Sequence, residues 1–222
     1  MCKYLNGMPS EQILSYTVRQ KDTYHCWLAA TLIVENILDN TPTPPRGITG
    51  DAATKKKQSE KYDRWYDCKM NVVSRSKAFT DYVLNYKRAY LGDDSLGVAV
   101  LTDADYKKPF KAGASGSLIC GCLNEHFHLS SKLYQSAYIG KQTLTTKDAG
   151  AIIRAQIDAG EPVVLGTEIE MPNGNVYSHY TVAVGYIEKS SFIMFLDPNK
   201  SLSLIHKSKL ENLGLKEIIY KK

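Results

Sequence analysis

From Pro162 to the C-terminus the sequence settles into a two-residue period. "PVVLGTEI", "SHYTVAVGYI", "SFIMFLD", "SLSLIHK" and "KEIIYK" follow one another with only short turn-like breaks. Each segment has strand length, and alternation of this kind belongs on a pleated surface rather than a helix. The breaks are too short for crossover helices, so the five segments dictate an antiparallel sheet. Just before them, "TLTTKDAGAIIRAQIDAG" carries Ala149, Ile152, Ile153 and Ile157 at helical spacing. Thr145 or Thr146 can cap that helix and Gly160 can stop it.

A second patterned stretch lies near the N-terminus. Tyr24 to about Asp39, "YHCWLAATLIVENILD", predicts a helix. Trp27, Ala30, Val34 and Leu38 line one face, and Ala29, Ile33 and Ile37 the adjacent one. Apolar residues on nearly all sides mean a central, buried helix. Asp22 or Thr23 can cap it, and "DNTPTPPRG" ends it. From Asp51 to about Leu91 the chain is polar, with aromatics at helical spacing in "KYDRWYD" and "KAFTDYVLNYKRAYL". That spacing suits core packing in helices; Gly92 to Gly116 reads as loop. Helices first and strands last is an α+β arrangement. We read residues 1–222 as a single domain, with a mostly helical lobe over about 1–143 and a helix-plus-sheet lobe over about 144–222. A cleft between two such lobes is a natural place for a site.

Composition narrows the function classes. The chain is 43% hydrophobic and 23% charged, an ordinary globular balance. A net charge of +5 is mild, and the basic run Lys55–Lys57 suits a solvated loop, so no nucleic-acid partner is expected. No apolar run reaches ~18 residues, so no membrane span is expected. The opening "MCKYLNGMPSEQILSY" has no basic segment followed by an apolar core, so no Sec signal peptide is expected there. The five cysteines, Cys2, Cys26, Cys68, Cys120 and Cys122, are odd in number and irregularly spaced. They read as free thiols in a reducing compartment, or as a thiol kept for chemistry, rather than a disulfide framework.

Cys26 has an unusual address for a packing residue: the first turn of the most apolar helix. The thiolate is the reactive form of cysteine, and a helix N-terminus supplies positive field and unpaired N–H groups. His25 is adjacent but points ~100° round the helix, so the partner base should come from elsewhere. The candidate is His179 in "YSHYTVAVGY". On a strand it shares a face with Thr181, Ala183 and Gly185, while Tyr180, Val182, Val184 and Tyr186 take the other. The small face should leave room beside the imidazole. Such a base needs a third group to hold its tautomer. A hairpin through "EKSS" would bring Asp197 of "FIMFLDPNK" beside His179, with Asn199 as the fallback. Gln20, six residues before Cys26, could donate to a developing oxyanion together with the Cys26 N–H.

Gln20, "HCWLAA", "AGEPVVLG", "SHYTVAVGY" and "LDP" together resemble the papain-like (clan CA) cysteine peptidases. The nearer relatives are the bacteriocin-leader-cleaving peptidases and the papain-like avirulence effector proteases of bacteria. The likeness covers the pieces near 20–38 and 144–199. Two details differ: His25 precedes the cysteine, and Leu28 stands between Trp27 and the alanine pair. The resemblance implies a papain-like fold, with Cys26 as nucleophile, His179 as general base and acid, Asp197 as orienter and Gln20 as oxyanion donor. It also implies a monomeric enzyme without a cofactor, acting on a protein substrate in a host or competitor cell after export by a non-Sec route, or otherwise in the cytoplasm.

Three functions share these residues. A peptidase is the first. A glutamine deamidase, transglutaminase-like enzyme or cell-wall amidase would use the same Cys-His-Asp logic on another carbonyl. A catalytically silent papain fold that binds a partner is the third. Separately, "CGCLNEHFH" offers Cys120, Cys122, His126 and His128 to a zinc ion. The spacing is not that of a common finger, C-x-C with H-x-H would crowd one ion, and on a strand both cysteines would share a packing face. No metal site is therefore assigned.

Overall fold

The computed structural model describes residues 1–18, 26–40, 115–126, 134–140, 143–170, 174, 176–199 and 204–222. In chain order these form β1 (Cys2–Tyr4), α1 (Ser10–Leu14), α2 (Cys26–Leu38), α3 (Gly116–His126), β2 (Tyr134–Tyr138) and α4 (Thr146–Asp158). β3 (Val163–Glu170), β4 (Val176–Ile187), β5 (Phe192–Leu196), β6 (His206–Lys209) and β7 (Leu215–Lys221) follow. The fold is α+β: a few helices packed against one antiparallel sheet of seven strands. The strand order is β2-β7-β3-β4-β5-β6, and β1 also pairs with β4.

The five period-two segments supply five adjacent strands of that sheet, β7-β3-β4-β5-β6. β3 pairs with β4 from Val163↔Ala183 to Glu170↔Val176. β4 turns into β5 through Glu188–Ser191, where Lys189 takes φ 57° and the Ser190 hydroxyl donates to the Ile187 carbonyl. β7 lies on the other side of β3, reached through Gly214 at φ 58°. A Cβ on Gly214 would stand 2.6 Å from the Glu168 carbonyl oxygen, so both the angle and the space call for glycine. α4 starts with a reciprocal capping box: the Asp148 N–H donates to the Thr145 hydroxyl, and the Thr145 N–H donates to the Asp148 carboxylate.

α2 is buried from Cys26 through Ile37 and packs on β4 and β3. Its last turn is closed by the Asp39 N–H on the Glu35 carbonyl, and Asn40 leaves the helix at φ 51°. The capping candidates Asp22 and Thr23 lie outside the described residues, as do the helices expected over 51–91 and the Lys55–Lys57 run.

Four expectations need correction. The sheet is not confined to the C-terminal part, because β1 and β2 join it from much earlier in the chain. Cys120 and Cys122 lie on a helix, not a strand, so they point in different directions round α3. In "SLSLIHK" the described residues Leu204 and Ile205 are not strand, and β6 begins at His206. The small face of β4 is not an open channel. Thr181 and Ala183 are as buried as Tyr180, Val182 and Val184, so the small residues serve close packing on both faces.

Candidate functional site

Cys26 is the first residue of α2, only 6% exposed, with the apolar body of the helix anchoring it in the core. His179 sits near the start of β4, 8% exposed. Its position along the strand is fixed from β3: Thr167 is its cross-strand partner, and the Thr167 hydroxyl donates to the His179 carbonyl at 3.1 Å. A register shift between Gly166 and Thr167 in the β3–β7 pairing falls at the same level. β5 returns antiparallel with Val182 opposite Leu196, which delivers Asp197, one residue further, to the level of Thr181, the neighbour of His179 on the same face of β4.

There the His179 Nε2 meets the Asp197 Oδ1 at 2.8 Å. A carboxylate only accepts, so Nε2 donates. Asp197 is 2% exposed, and its Oδ1 also accepts the Asn199 backbone N–H at 2.9 Å. Asn199 thus supports Asp197 through its main chain. The Cys26 sulfur lies close enough to the His179 ring to act on its protonation. Nε2 is held by Asp197, which leaves Nδ1 to face the thiol. Burial works against a charged imidazole. The hydrogen bonds from Asp197 and Cys26 and their negative charge outweigh it and push the His179 pKa up to about 9.

The structure therefore brings Cys26, His179 and Asp197 together. Gln20, the expected oxyanion donor, and His25 lie outside the described residues. None of Cys2, Cys26, Cys120 and Cys122 is in a disulfide. Among the described residues no three metal-ligating side chains cluster, and His128 lies outside them. None of the described helices is long and apolar enough to cross a membrane.

A second buried arrangement was not read from the sequence. On the face of β4 opposite His179, the Tyr180 hydroxyl donates to the Glu217 Oε1 at 2.6 Å. Burial first, then the hydrogen bond and charge of Glu217, and then the nearby Cys26, raise the phenol far above its usual range. Two sequence signals mark the pair: a glycine inside the strand "VVLGTEI", and an acid inside the apolar strand "KEIIYK". Gly166 lies between them in register, and a Cβ there would stand 2.5 Å from the Glu217 Cγ. Compared with known protein-family models and with curated protein sequences, the chain matches none.

Proposed function

We propose that this chain is a papain-like cysteine peptidase that hydrolyses peptide bonds in a protein substrate through an acyl-enzyme. The observation that carries the reading is the shared site of Cys26, at the head of a buried helix, and the His179–Asp197 pair. The thiol alone would be an ordinary buried cysteine, and the His–Asp pair alone an ordinary buried ion pair. Together they supply a nucleophile, a base and an orienter.

In this reading His179 already holds the Cys26 proton as an imidazolium beside the thiolate, and the thiolate sulfur attacks the substrate carbonyl. The tetrahedral oxyanion is met by the Cys26 backbone N–H at the helix start and, by the resemblance, by Gln20. His179, an imidazolium steadied by Asp197, hands its proton to the departing amine and leaves a thioester on Cys26. Water then attacks the thioester, His179 takes its proton, and the acid product leaves with Cys26 restored. The motif likeness points to an effector or toxin delivered into another cell as the biological setting.

The test is a comparison of new protein N-termini in a cell lysate treated with the wild-type chain or with Cys26→Ala. New N-termini made by the wild type alone are expected. New N-termini from both proteins would remove Cys26 as the nucleophile. Deamidated glutamines without new N-termini would move the reaction to a side-chain amide.

A further inference from the structure

We propose that Thr181 is a positioning residue for the triad: its buried hydroxyl donates to the Asp197 carboxylate once His179 has given up its proton. The proposal rests on the peptidase reading for its place in catalysis, but the contact itself can be read without cleavage.

The strand register sets Thr181 against Asp197. β4 and β5 pair with Val182 opposite Leu196, so the next pair along is Thr181 and Asp197. Opposed residues share a face, and Thr181 lies two residues beyond His179 on the same side of β4. The acid that holds His179 therefore stands directly across from Thr181. It reaches His179 on the diagonal, where its Oδ1 meets the Nε2. Opposed Cβ atoms of an antiparallel pair are about 4.5–5.5 Å apart. A hydroxyl and a carboxylate oxygen close that gap by a change of one rotamer.

Thr181 is 3% exposed, and its Oγ1 is buried without a hydrogen-bond partner. Apart from His179, its other neighbours in the ladder are apolar: β3 opposes it with Leu165, and Ala183 follows it on the same face. Valine would fill the same space without the cost of a buried, unpaired hydroxyl, so the threonine calls for a reason. Thr167, across from His179, makes the contrast, because its hydroxyl is committed to the His179 carbonyl. The donor of Thr181 is uncommitted.

The reaction supplies the reason. In the resting pair the imidazolium balances Asp197 inside a buried site. Among the described residues, the charged groups acting on His179 are Asp197 and, from α2, Cys26, while β3 opposes it with the neutral Thr167. When His179 hands its proton to the departing amine, the ring turns neutral and Asp197 loses the cation beside it. Its Oδ1 then holds two neutral donors, the ring N–H and the Asn199 N–H. The Thr181 hydroxyl is the further donor that the fold places across from the acid. A charge-assisted hydrogen bond made at this moment eases the proton transfer, and it is released when His179 is charged again.

The test follows the His179 imidazole by NMR titration in Cys26→Ala protein, where the pair with Asp197 is read without the thiol. Thr181→Val should raise the His179 pKa by about half a unit or more, because the state with a neutral ring loses a donor to its acid. Thr181→Ser, which keeps a hydroxyl, should return the pKa to its value with threonine. With Cys26 present, Thr181→Val should lower kcat on a peptide about tenfold with KM near wild type, and Thr181→Ser should restore it. An unmoved or lowered pKa in Thr181→Val, or one that Thr181→Ser does not restore, would overturn the proposal. If Thr181→Val does not fold, Thr181→Ala removes the same donor and is read in the same way. Cleavage separates the two readings. A Thr181-dependent pKa in a chain that cuts nothing would keep the contact and discard the peptidase. Cleavage with the pKa unmoved would keep the peptidase and discard the role of Thr181.

Discussion

Consecutive residues of β4 enter two different buried acid partnerships. His179 pairs with Asp197, and Tyr180, on the opposite face, pairs with Glu217. Asp197 stands in a tight turn, and its Oδ1 takes both the imidazole and the Asn199 N–H. Glu217 stands inside a strand, with one oxygen committed to a phenol and the other without a partner. The first acid holds a ring in place for a neighbouring thiol. The second is left half-satisfied. The difference lies in location: a turn offers spare backbone N–H groups, whereas a central strand has already spent its own on the ladder.

The comparison can be broken from the catalytic side first. Cys26→Ala is expected to abolish proteolysis, a loss on the order of 10⁶ in kcat, with the fold retained, as read by peptide cleavage and circular dichroism. Asp197→Asn should leave KM near wild type and lower kcat by roughly 10⁴, because the imidazole loses its tautomer control. Glu217→Gln, which keeps an acceptor for Tyr180, should change kcat far less; a loss as large as that of Asp197→Asn would mean that the two acids do not have separate roles.

Stability sharpens the same contrast at smaller scale. Gly166→Ala should cost about 1–3 kcal/mol in urea unfolding, because its Cβ meets both Glu217 and the Tyr180 ring. Thr167→Val should cost about 1 kcal/mol through the lost hydrogen bond to the His179 carbonyl. The His179–Asp197 pair adds a pH signature. The imidazole pKa is raised from 6.5 to about 9, so the folded state binds the proton more tightly than the unfolded chain. That stabilisation is fully present below pH 6.5 and is lost as pH rises through about 9. The melting-temperature gap between wild type and Asp197→Asn should therefore be wider at pH 6 than at pH 9.5.

The sequence showed this site and the sheet centre for local reasons. A thiol at the head of an apolar helix, a His on a strand and an Asp after the next strand are each tied to short segments. A tight β4–β5 hairpin brings the last two together with little freedom. What stayed hidden depends on distant pairing. β1 is three residues long and has strand form only because it pairs with Gly185–Ile187. α3 carries its cysteines two apart, which imitates strand alternation. A row across four strands sets Tyr138 opposite Glu217, Glu217 opposite Gly166 and Gly166 opposite Tyr180, and no local pattern records it. The small face of β4 was misread because size alone cannot distinguish an open wall from a tightly packed one.

The central claim is that His179 activates Cys26, and thiol labelling tests it most directly. At pH 7, a thiol-reactive epoxide followed by intact-mass and peptide analysis should modify Cys26 at least about 10²-fold faster than the exposed Cys2, and His179→Ala should remove that advantage. Labelling of Cys26 no faster than Cys2, or unchanged in His179→Ala, would contradict the account.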